Sequence, residues 1–172
     1  LPLPRKVKEN NTKGYTTMTH PPHTDAPLDA ESLLESSWDR DFLPVDPVSI
    51  CNLIGIGAYI APLKEGIDSV VIRDDQGERI YVSTHVSTNR RRYLFARGLG
   101  DICQGESSVY PTEDTSCDEY SDVFARNLLV PSYALRLFRE WEVDAEKLPD
   151  LFSVDKECVD AQVRKLRDQQ LD

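Results

Sequence analysis

Two short runs rich in β-branched and aromatic residues, 69–73 and 79–83, flank a polar turn at 74–77. Such runs, separated by Asp, Gln and Gly, predict a β-hairpin. Before and after this hairpin, apolar residues recur mostly at helical spacing. Strands grouped in the middle of a chain, with helices on both sides, predict an α+β fold rather than alternating βαβ units.

Two helices are predicted ahead of the hairpin. The first has its apolar positions spaced for one helix face, with Asp29 as the N-cap; these positions are Leu28, Leu33, Leu34 and Trp38. The second has Asp46 as N-cap, Pro47 in its first turn and Gly55 at its end; its apolar stripe comprises Ile50, Leu53 and Ile54. Residues 56–60 then predict a short buried strand.

The chain after the hairpin is predicted to be mostly helical. The expected helices cover residues 90–103, 118–130, 132–141 and 155–167, and a polar loop reaches to about residue 115. Together with the strand at 56–60, the hairpin gives a sheet of three strands. Helices followed by a small sheet and then more helices complete the α+β prediction.

Residues 1–27 differ in composition from the rest of the chain. They hold five of the eleven prolines and almost no periodic apolar residues. Such a segment buries too little surface to offset its ordering entropy, so a flexible tail is predicted here. Residues 1–17 precede Met18, the only methionine, and are interpreted as a tag or upstream sequence. Residues 28–172 are predicted to form one domain.

The charge balance excludes several classes of function. The chain has 20 basic and 30 acidic side chains, a formal charge of −10, which argues against direct nucleic-acid binding. It has no apolar run near the ~20 residues of a membrane span and no secretory signal. Its four cysteines show no paired CxxC spacing. We therefore expect a cytoplasmic protein with reduced thiols.

Residues 79–101 read as a strand, a short loop and a helix that begins with arginines and an aromatic residue. This arrangement resembles the ImmA/IrrE family of metallopeptidases, in which the corresponding helix carries Ala-His-Glu-Leu-Gly-His. Ala96, Leu99 and Gly100 keep the framework of that motif. The segment from Phe124 to Pro131 is similar to the family's Phe-Ala-x-x-Leu-Leu-Met-Pro.

The resemblance extends over residues 29–166. Residues 152–159, continuing to Leu166, resemble the family's C-terminal Phe-x-Val-Ser helix, and residues 43–47 with the Gly55-Ile56 step resemble its first helix and strand. The resemblance implies a zincin-like domain in which helices pack on a small three-stranded sheet. It also implies a zinc ion as the family's cofactor and a bacterial cell as the location.

The functional positions of that motif are replaced in this chain. The two histidine ligands fall on Arg97 and Asp101, and the catalytic glutamate falls on Gly98, so that HExxH becomes Arg97-Gly98-Leu99-Gly100-Asp101. The downstream glutamate ligand falls on Tyr120, with Glu119 beside it. These five residues, Arg97, Gly98, Asp101, Glu119 and Tyr120, are called here the vestigial-site positions.

The replacements remove the chemistry of the motif. Histidines at i and i+4 give zinc neutral nitrogen lone pairs, and the glutamate takes a proton from the metal-bound water. The guanidinium of Arg97 has only donors and keeps its charge, and Gly98 offers no base. A fixed positive charge ~4 Å from a divalent cation costs several kcal/mol even at an effective dielectric of ~20. We therefore predict no catalytic residue and no metal ligand.

The same spacing suits an ion pair, because Arg97 and Asp101 lie one turn apart on one helix face. If the cleft is partly buried, Asp118 or Glu119 is expected to join this pair; the alternative is an ordinary solvated ion pair. Arg92 and His85 are further expected partners in the cleft. His85 is an alternative ligand for a relocated metal site with Asp101, Asp118 and Glu119. Gly98 in the middle of a helix indicates either close packing at this position or a tolerated loss of the glutamate. Cys103 is interpreted as a packed thiol.

The resemblance and the replacements together predict a catalytically inactive peptidase homologue. Such a protein keeps the groove and binds a protein partner there, by analogy a helix-turn-helix repressor or another regulator of a phage or mobile element. Two alternatives stay open. One is an active metallo-endopeptidase with ligands outside the family motif, and the other is a structural or interaction protein of a phage.

Overall fold

The computed structural model describes residues 26–112 and 119–169, which form an α+β structure. Over these residues the structure has seven α-helices and one mixed sheet of four strands. The helices are α1 (Ala26–Ser37), α2 (Pro47–Ile54), α3 (Thr88–Gln104), α4 (Glu119–Leu129), α5 (Ser132–Glu140), α6 (Leu148–Phe152) and α7 (Lys156–Asp168). The strands are β1 (Gly57–Ala61), β2 (Ile67–Asp74), β3 (Gly77–Ser83) and β4 (Ser108–Pro111), and a 3₁₀ turn covers Ala145–Lys147.

The sheet has the strand order β1-β3-β2-β4. β2 and β3 form the predicted antiparallel hairpin, closed by the pair Asp74 and Gly77. Gly77 adopts a φ of 108°, a conformation that side chains disfavour, which explains the glycine at the end of this turn. β1 runs parallel to β3, and β4 runs antiparallel to β2.

The prediction of three strands is wrong, because β4 lies in the segment that was predicted as a polar loop. β4 is only four residues long, and Tyr110 is its one buried side chain. A strand this short with one inward residue shows no alternation that a sequence pattern can reveal. Its partner β2 lies far away along the chain, so the pairing depends on tertiary contacts.

The strand predicted at 56–60 forms as β1 but is not buried. Since β1 lies at the edge of the sheet, Tyr59 is 48% exposed and Ile60 is 53% exposed. An apolar sequence therefore lies at a sheet edge here, where a buried strand was expected.

Helix α1 begins at Ala26, two residues before the predicted boundary at 28. Asp29 lies inside the helix and is not its N-cap, and Leu28 is 62% exposed. The buried face consists of Ala26, Ala30, Leu33 and Leu34. The rest of the predicted tail, 1–25, lies outside the described residues.

Helix α2 has the predicted caps. The Asp46 carboxylate accepts a hydrogen bond from the backbone N of Val48 at 3.1 Å, and Gly55 closes the helix with a φ of 80°. Its stripe differs from the prediction, because Leu53 is exposed while Cys51 is buried with Ile50.

Helix α3 crosses the centre of the molecule, and residues 94–102 are all buried. Two glycines permit close approach on two sides. A Cβ at Gly98 would lie 2.9 Å from Cγ2 of Ile80 on β3, and one at Gly100 would lie 3.0 Å from the Cα of Ser121 on α4. Close packing against the sheet therefore accounts for Gly98, which decides between the two alternatives raised by the sequence.

The predicted C-terminal helices form with shifts of one or two residues. α4 ends at Leu129, shortly before Pro131, and α5 and α7 match the predicted segments. α6 and the 3₁₀ turn were not predicted, since five and three residues are too short for a periodic signal. Across the two described stretches, no helix is long and apolar enough to cross a membrane.

Candidate functional site

Arg97 and Asp101 project from one face of α3 into the interior of the protein. They are 5% and 1% exposed, and Nη1 of Arg97 lies 3.5 Å from Oδ2 of Asp101. The ion pair that the spacing allows is therefore formed, and it is buried. Charges this far from water are costly to bury unless they are paired and hydrogen-bonded.

Asp122 on α4 is a second carboxylate partner of Arg97. Its Oδ1 lies 3.4 Å from Nε of Arg97, and the residue is 2% exposed. The hydroxyl of Tyr93 on α3 also donates a hydrogen bond to this carboxylate. Asp122 was missed by the sequence analysis, which placed the downstream position on Tyr120 and considered only Asp118 and Glu119 beside it.

The ring of Tyr110 on β4 covers the guanidinium. The Cζ atom of Arg97 lies 4.0 Å from the ring centroid, a close cation–π contact. Arg90 approaches the same ring at 5.3 Å, and its Nε lies 3.6 Å from Oδ2 of Asp68. Thr112 donates a 2.7 Å hydrogen bond to Asp68, so β4 and its neighbours close this side of the site.

Two serines satisfy Asp101. Ser121 on α4 donates to Oδ1 at 2.5 Å, and Ser108 on β4 donates to Oδ2. Asp101 thus meets donors from α3, α4 and β4. We call this group the Arg97 cluster, which comprises Arg97, Asp101 and Asp122 with the surrounding Tyr93, Ser108, Tyr110 and Ser121.

The Arg97 cluster holds one cation and two carboxylates in the interior. Among the described residues, Nε of Arg97 and Oδ2 of Asp122 make no hydrogen bond. The contact between Arg97 and Asp122 is therefore carried mainly by charge, and its strength depends on the low dielectric of the interior. Removing the cation would leave two buried carboxylates close together.

The other predicted site residues lie elsewhere or outside the described residues. The Tyr120 hydroxyl donates to Asp29 of α1 at 2.5 Å, and its ring stacks on Phe124, so Tyr120 joins α4 to α1. Asp118 lies outside the described residues, and so does the side chain of Glu119. Their predicted part in the cluster therefore stays a prediction.

His85 is exposed in the turn between β3 and α3, where its backbone N donates to Ser83. In the described stretches, no three His, Cys, Asp or Glu residues are grouped so that they could hold a metal ion. The relocated metal site also involves Asp118 and Glu119, whose side chains are not described, so it too stays a prediction.

Arg92 binds backbone carbonyl groups instead of a carboxylate across a cleft. Its Nη2 donates to the carbonyl O of Val45 at 2.5 Å, and its Nε donates to that of Ser153 at 3.1 Å. Burial lowers the pKa of Arg92, and nearby Asp46 partly opposes this effect. Arg92 thus joins α3 to the end of α6, where helix carbonyls favour a cation. Its expected part as a cleft partner stays a prediction.

The described cysteines are not activated. Cys51, Cys103 and Cys158 are free thiols, and burial raises the pKa of each to about 12. A thiol with so high a pKa stays protonated at neutral pH and is a poor nucleophile. This agrees with the interpretation of Cys103 as a packed side chain.

Neither a protein-family model nor a curated protein matches this chain. Its fold is similar to a solved structure of a Mycobacterium tuberculosis transcriptional regulator, with a TM-score of 0.57 over 78% of this chain and 17% sequence identity. The chain spans 44% of the length of that protein. The likeness shows a shared α+β fold. The zincin-like assignment and the resemblance to ImmA/IrrE peptidases stay predictions.

Proposed function

We propose that this protein is a catalytically inactive relative of the ImmA/IrrE metallopeptidases and acts as a protein-binding regulator. One observation carries the proposal. Arg97, at the position of the first histidine ligand in the resemblance, lies buried between Asp101 and Asp122. The place of a metal ion on this helix face is thus taken by a guanidinium.

The electrostatics of the Arg97 cluster oppose a divalent cation. Asp101 already accepts hydrogen bonds from Ser108 and Ser121 and pairs with Arg97. A metal ion binding to Asp101 would lie within a few ångströms of a permanent positive charge, or would have to displace it from a buried pair. Either route disfavours binding of a metal ion by one or two carboxylates without nitrogen or sulfur ligands.

The position of the general base is also closed. The glutamate of the resemblance falls on Gly98, and Ile80 of β3 occupies the space where a Cβ would begin. Since neither a ligand set nor a base is present at these positions, the site supports binding and not hydrolysis. We propose that the groove implied by the family resemblance holds a protein partner instead.

Two observations support a regulatory role and a protein partner. The fold is similar to that of a protein described as a transcriptional regulator, and the family resemblance points to helix-turn-helix repressors as partners. The net charge of −10 disfavours DNA and suits a partner with a basic surface, as helix-turn-helix domains have. We therefore propose a helix-turn-helix regulator as the partner.

The test is capture of partners by the full chain in cells of its source, followed by mass spectrometry of the captured proteins. We expect a helix-turn-helix regulator that is recovered at full length and stays intact on incubation with the chain and zinc. Chelator-sensitive cleavage of the partner would contradict the proposal and favour an active metallo-endopeptidase. Capture of capsid or tail proteins would contradict it in favour of a structural role.

A further inference from the structure

The outer edge of β1 is an apolar strand that lacks the usual protection of sheet edges. β1 pairs with β3 on one side, and no described strand lies on its other side. No charged residue occurs between Asp46 and Lys64, although 29% of the chain is charged. Natural edge strands normally carry charges, a proline or a bulge that prevents pairing with another chain. β1 has none of these within its five residues.

The side chains of β1 are partly open to solvent on both faces of the sheet. Tyr59 and Ile60 are neighbours in an extended strand, so their side chains point to opposite faces. Each is about half exposed, so β1 presents an apolar side chain to solvent on each face of the sheet. Leu53, at the end of the adjacent helix α2, is 56% exposed as well. Three of the exposed large apolar residues thus lie within eight positions of the sequence.

Tyr59 already belongs to an aromatic ladder. It is directly opposite Tyr81 in the register of β1 and β3, and the two rings stack with centroids 5.1 Å apart. The Tyr59 ring also lies over Gly57, because a Cβ at Gly57 would be 2.6 Å from the ring. The ring therefore lies along the sheet face and leaves the outer backbone edge of β1 open to another strand.

We infer that β1 pairs with β1 of a second copy of this chain, antiparallel and about a twofold axis at Tyr59. This pairing joins the two four-stranded sheets into one sheet across the dimer. It extends the aromatic ladder across the axis, since residues directly opposite in antiparallel strands share a face. The inference does not depend on the proposed function.

The sequence of β1 is complementary to itself in this register. Tyr59 meets Tyr59 of the second copy, and Ile60 meets the small Ala58 on the other face, twice by symmetry. Gly57 meets Ala61, so no two bulky side chains other than the stacked rings compete for space. The absence of charge along the strand matters because copies of a chain with a charge of −10 repel one another elsewhere.

Sedimentation equilibrium of the full chain over a wide concentration range tests this inference. We expect the weight-average mass to rise from the 19.5 kDa of one chain toward twice that value. Ile60→Lys, which places a charge on the edge, should raise the dimer dissociation constant by at least about tenfold. Val109→Lys is the matched control, since Val109 is 58% exposed on the other edge strand β4, and it should behave like the wild-type chain.

Three results would overturn the inference. The first is a wild-type chain that stays monomeric at the highest concentration reached. The second is a dimer that Ile60→Lys leaves unchanged while its circular dichroism spectrum shows a native fold. The third is a dimer lost in Val109→Lys, which would place the interface on β4. Tyr59→Ser is a separate test of the ladder and should weaken association while the circular dichroism spectrum still shows a native fold.

Discussion

Oδ1 of Asp122 on α4 lies 3.4 Å from Nε of Arg97 on α3, and both residues are almost fully buried. This contact joins two helices that already approach closely at Gly100, where the Cα of Ser121 leaves no room for a side chain. Arg97 thus forms one ion pair within α3, with Asp101, and a second one with Asp122 on α4. Loss of Arg97 would therefore leave two buried carboxylates between α3 and α4 without their cation.

Replacing Arg97 by methionine should destabilise the protein strongly. The variant leaves Asp101 and Asp122 buried without their cation, and loss of one partner from a buried pair typically costs about 3–5 kcal/mol. Urea denaturation followed by circular dichroism measures the change in the free energy of unfolding.

A matched control is Lys156→Met. It removes the cation of another i,i+4 ion pair, the exposed pair of Lys156 and Asp160. Because that pair is in water, the free energy of unfolding should hardly change. If Arg97→Met were as well tolerated as Lys156→Met, the Arg97 cluster would not carry the energetic role assigned to it.

Gly98→Ala should destabilise the protein even though alanine favours helices. The new Cβ would lie 2.9 Å from Ile80, and forced overlap in a core costs about 1–3 kcal/mol, more than the gain of about 1 kcal/mol in helix propensity. In an Ile80→Ala background the overlap is gone, so the same change should become stabilising. A double-mutant cycle by urea denaturation measures this change of sign.

Gly100→Ala is the control for that cycle, because its neighbours are Ser121 and Phe124 of α4 and not Ile80. Its cost should be the same in both backgrounds. If Gly98→Ala lowered the free energy of unfolding equally in the wild-type and Ile80→Ala backgrounds, contact with β3 would not limit how closely α3 packs on the sheet.

Ionisation of Tyr93 should lower the free energy of unfolding as the pH becomes alkaline. Burial raises its pKa, and the charge of Asp122 and the hydrogen bond to it raise it further. The phenol therefore ionises first in the unfolded chain. Its contribution to stability is fully present below the unfolded pKa of about 10 and is lost as pH rises above it.

Unfolding free energies between pH 8 and 11 should thus fall more steeply in the wild type than in Tyr93→Phe. The difference in slope approaches about 1.4 kcal/mol per pH unit, the value for one proton. Parallel curves would show that Tyr93 titrates alike in the folded and unfolded states.

The buried thiols should be silent toward Ellman's reagent at pH 8. Burial raises the pKa of Cys51, Cys103 and Cys158 to about 12, so almost no thiolate is present at pH 8 in the native state. We expect no rapid labelling in a Cys117→Ser background and three labelled thiols after unfolding. Fast labelling of Cys103 in the native protein would contradict its interpretation as a packed thiol.

Local patterns in the sequence predicted most of the fold. The hairpin, the caps of α2 at Asp46 and Gly55, and the extent of α3 depend on residues close together along the chain. β4 and the exposure of β1 could not be predicted, because the position of a strand within a sheet is decided by its neighbours in space. Leu53 and Leu28 were assigned to buried stripes for the same reason.

The candidate site was predictable only within one helix. The i,i+4 spacing placed Arg97 beside Asp101, since that contact depends on helix geometry alone. Asp122 and Tyr110 approach from α4 and β4, and contacts between distant segments leave no spacing in the sequence. One feature of the sequence pointed to Asp122. It is a charged residue two positions before Phe124, on the side of α4 whose apolar residues face the interior.

Elemental analysis of the purified full chain after equilibration with zinc tests the central claim most directly. Because Arg97 occupies the helix face that a metal ion would need, we expect less than about a tenth of an equivalent of zinc per chain. About one tightly bound zinc ion per chain, lost in Asp101→Ala while the fold is retained, would contradict the account.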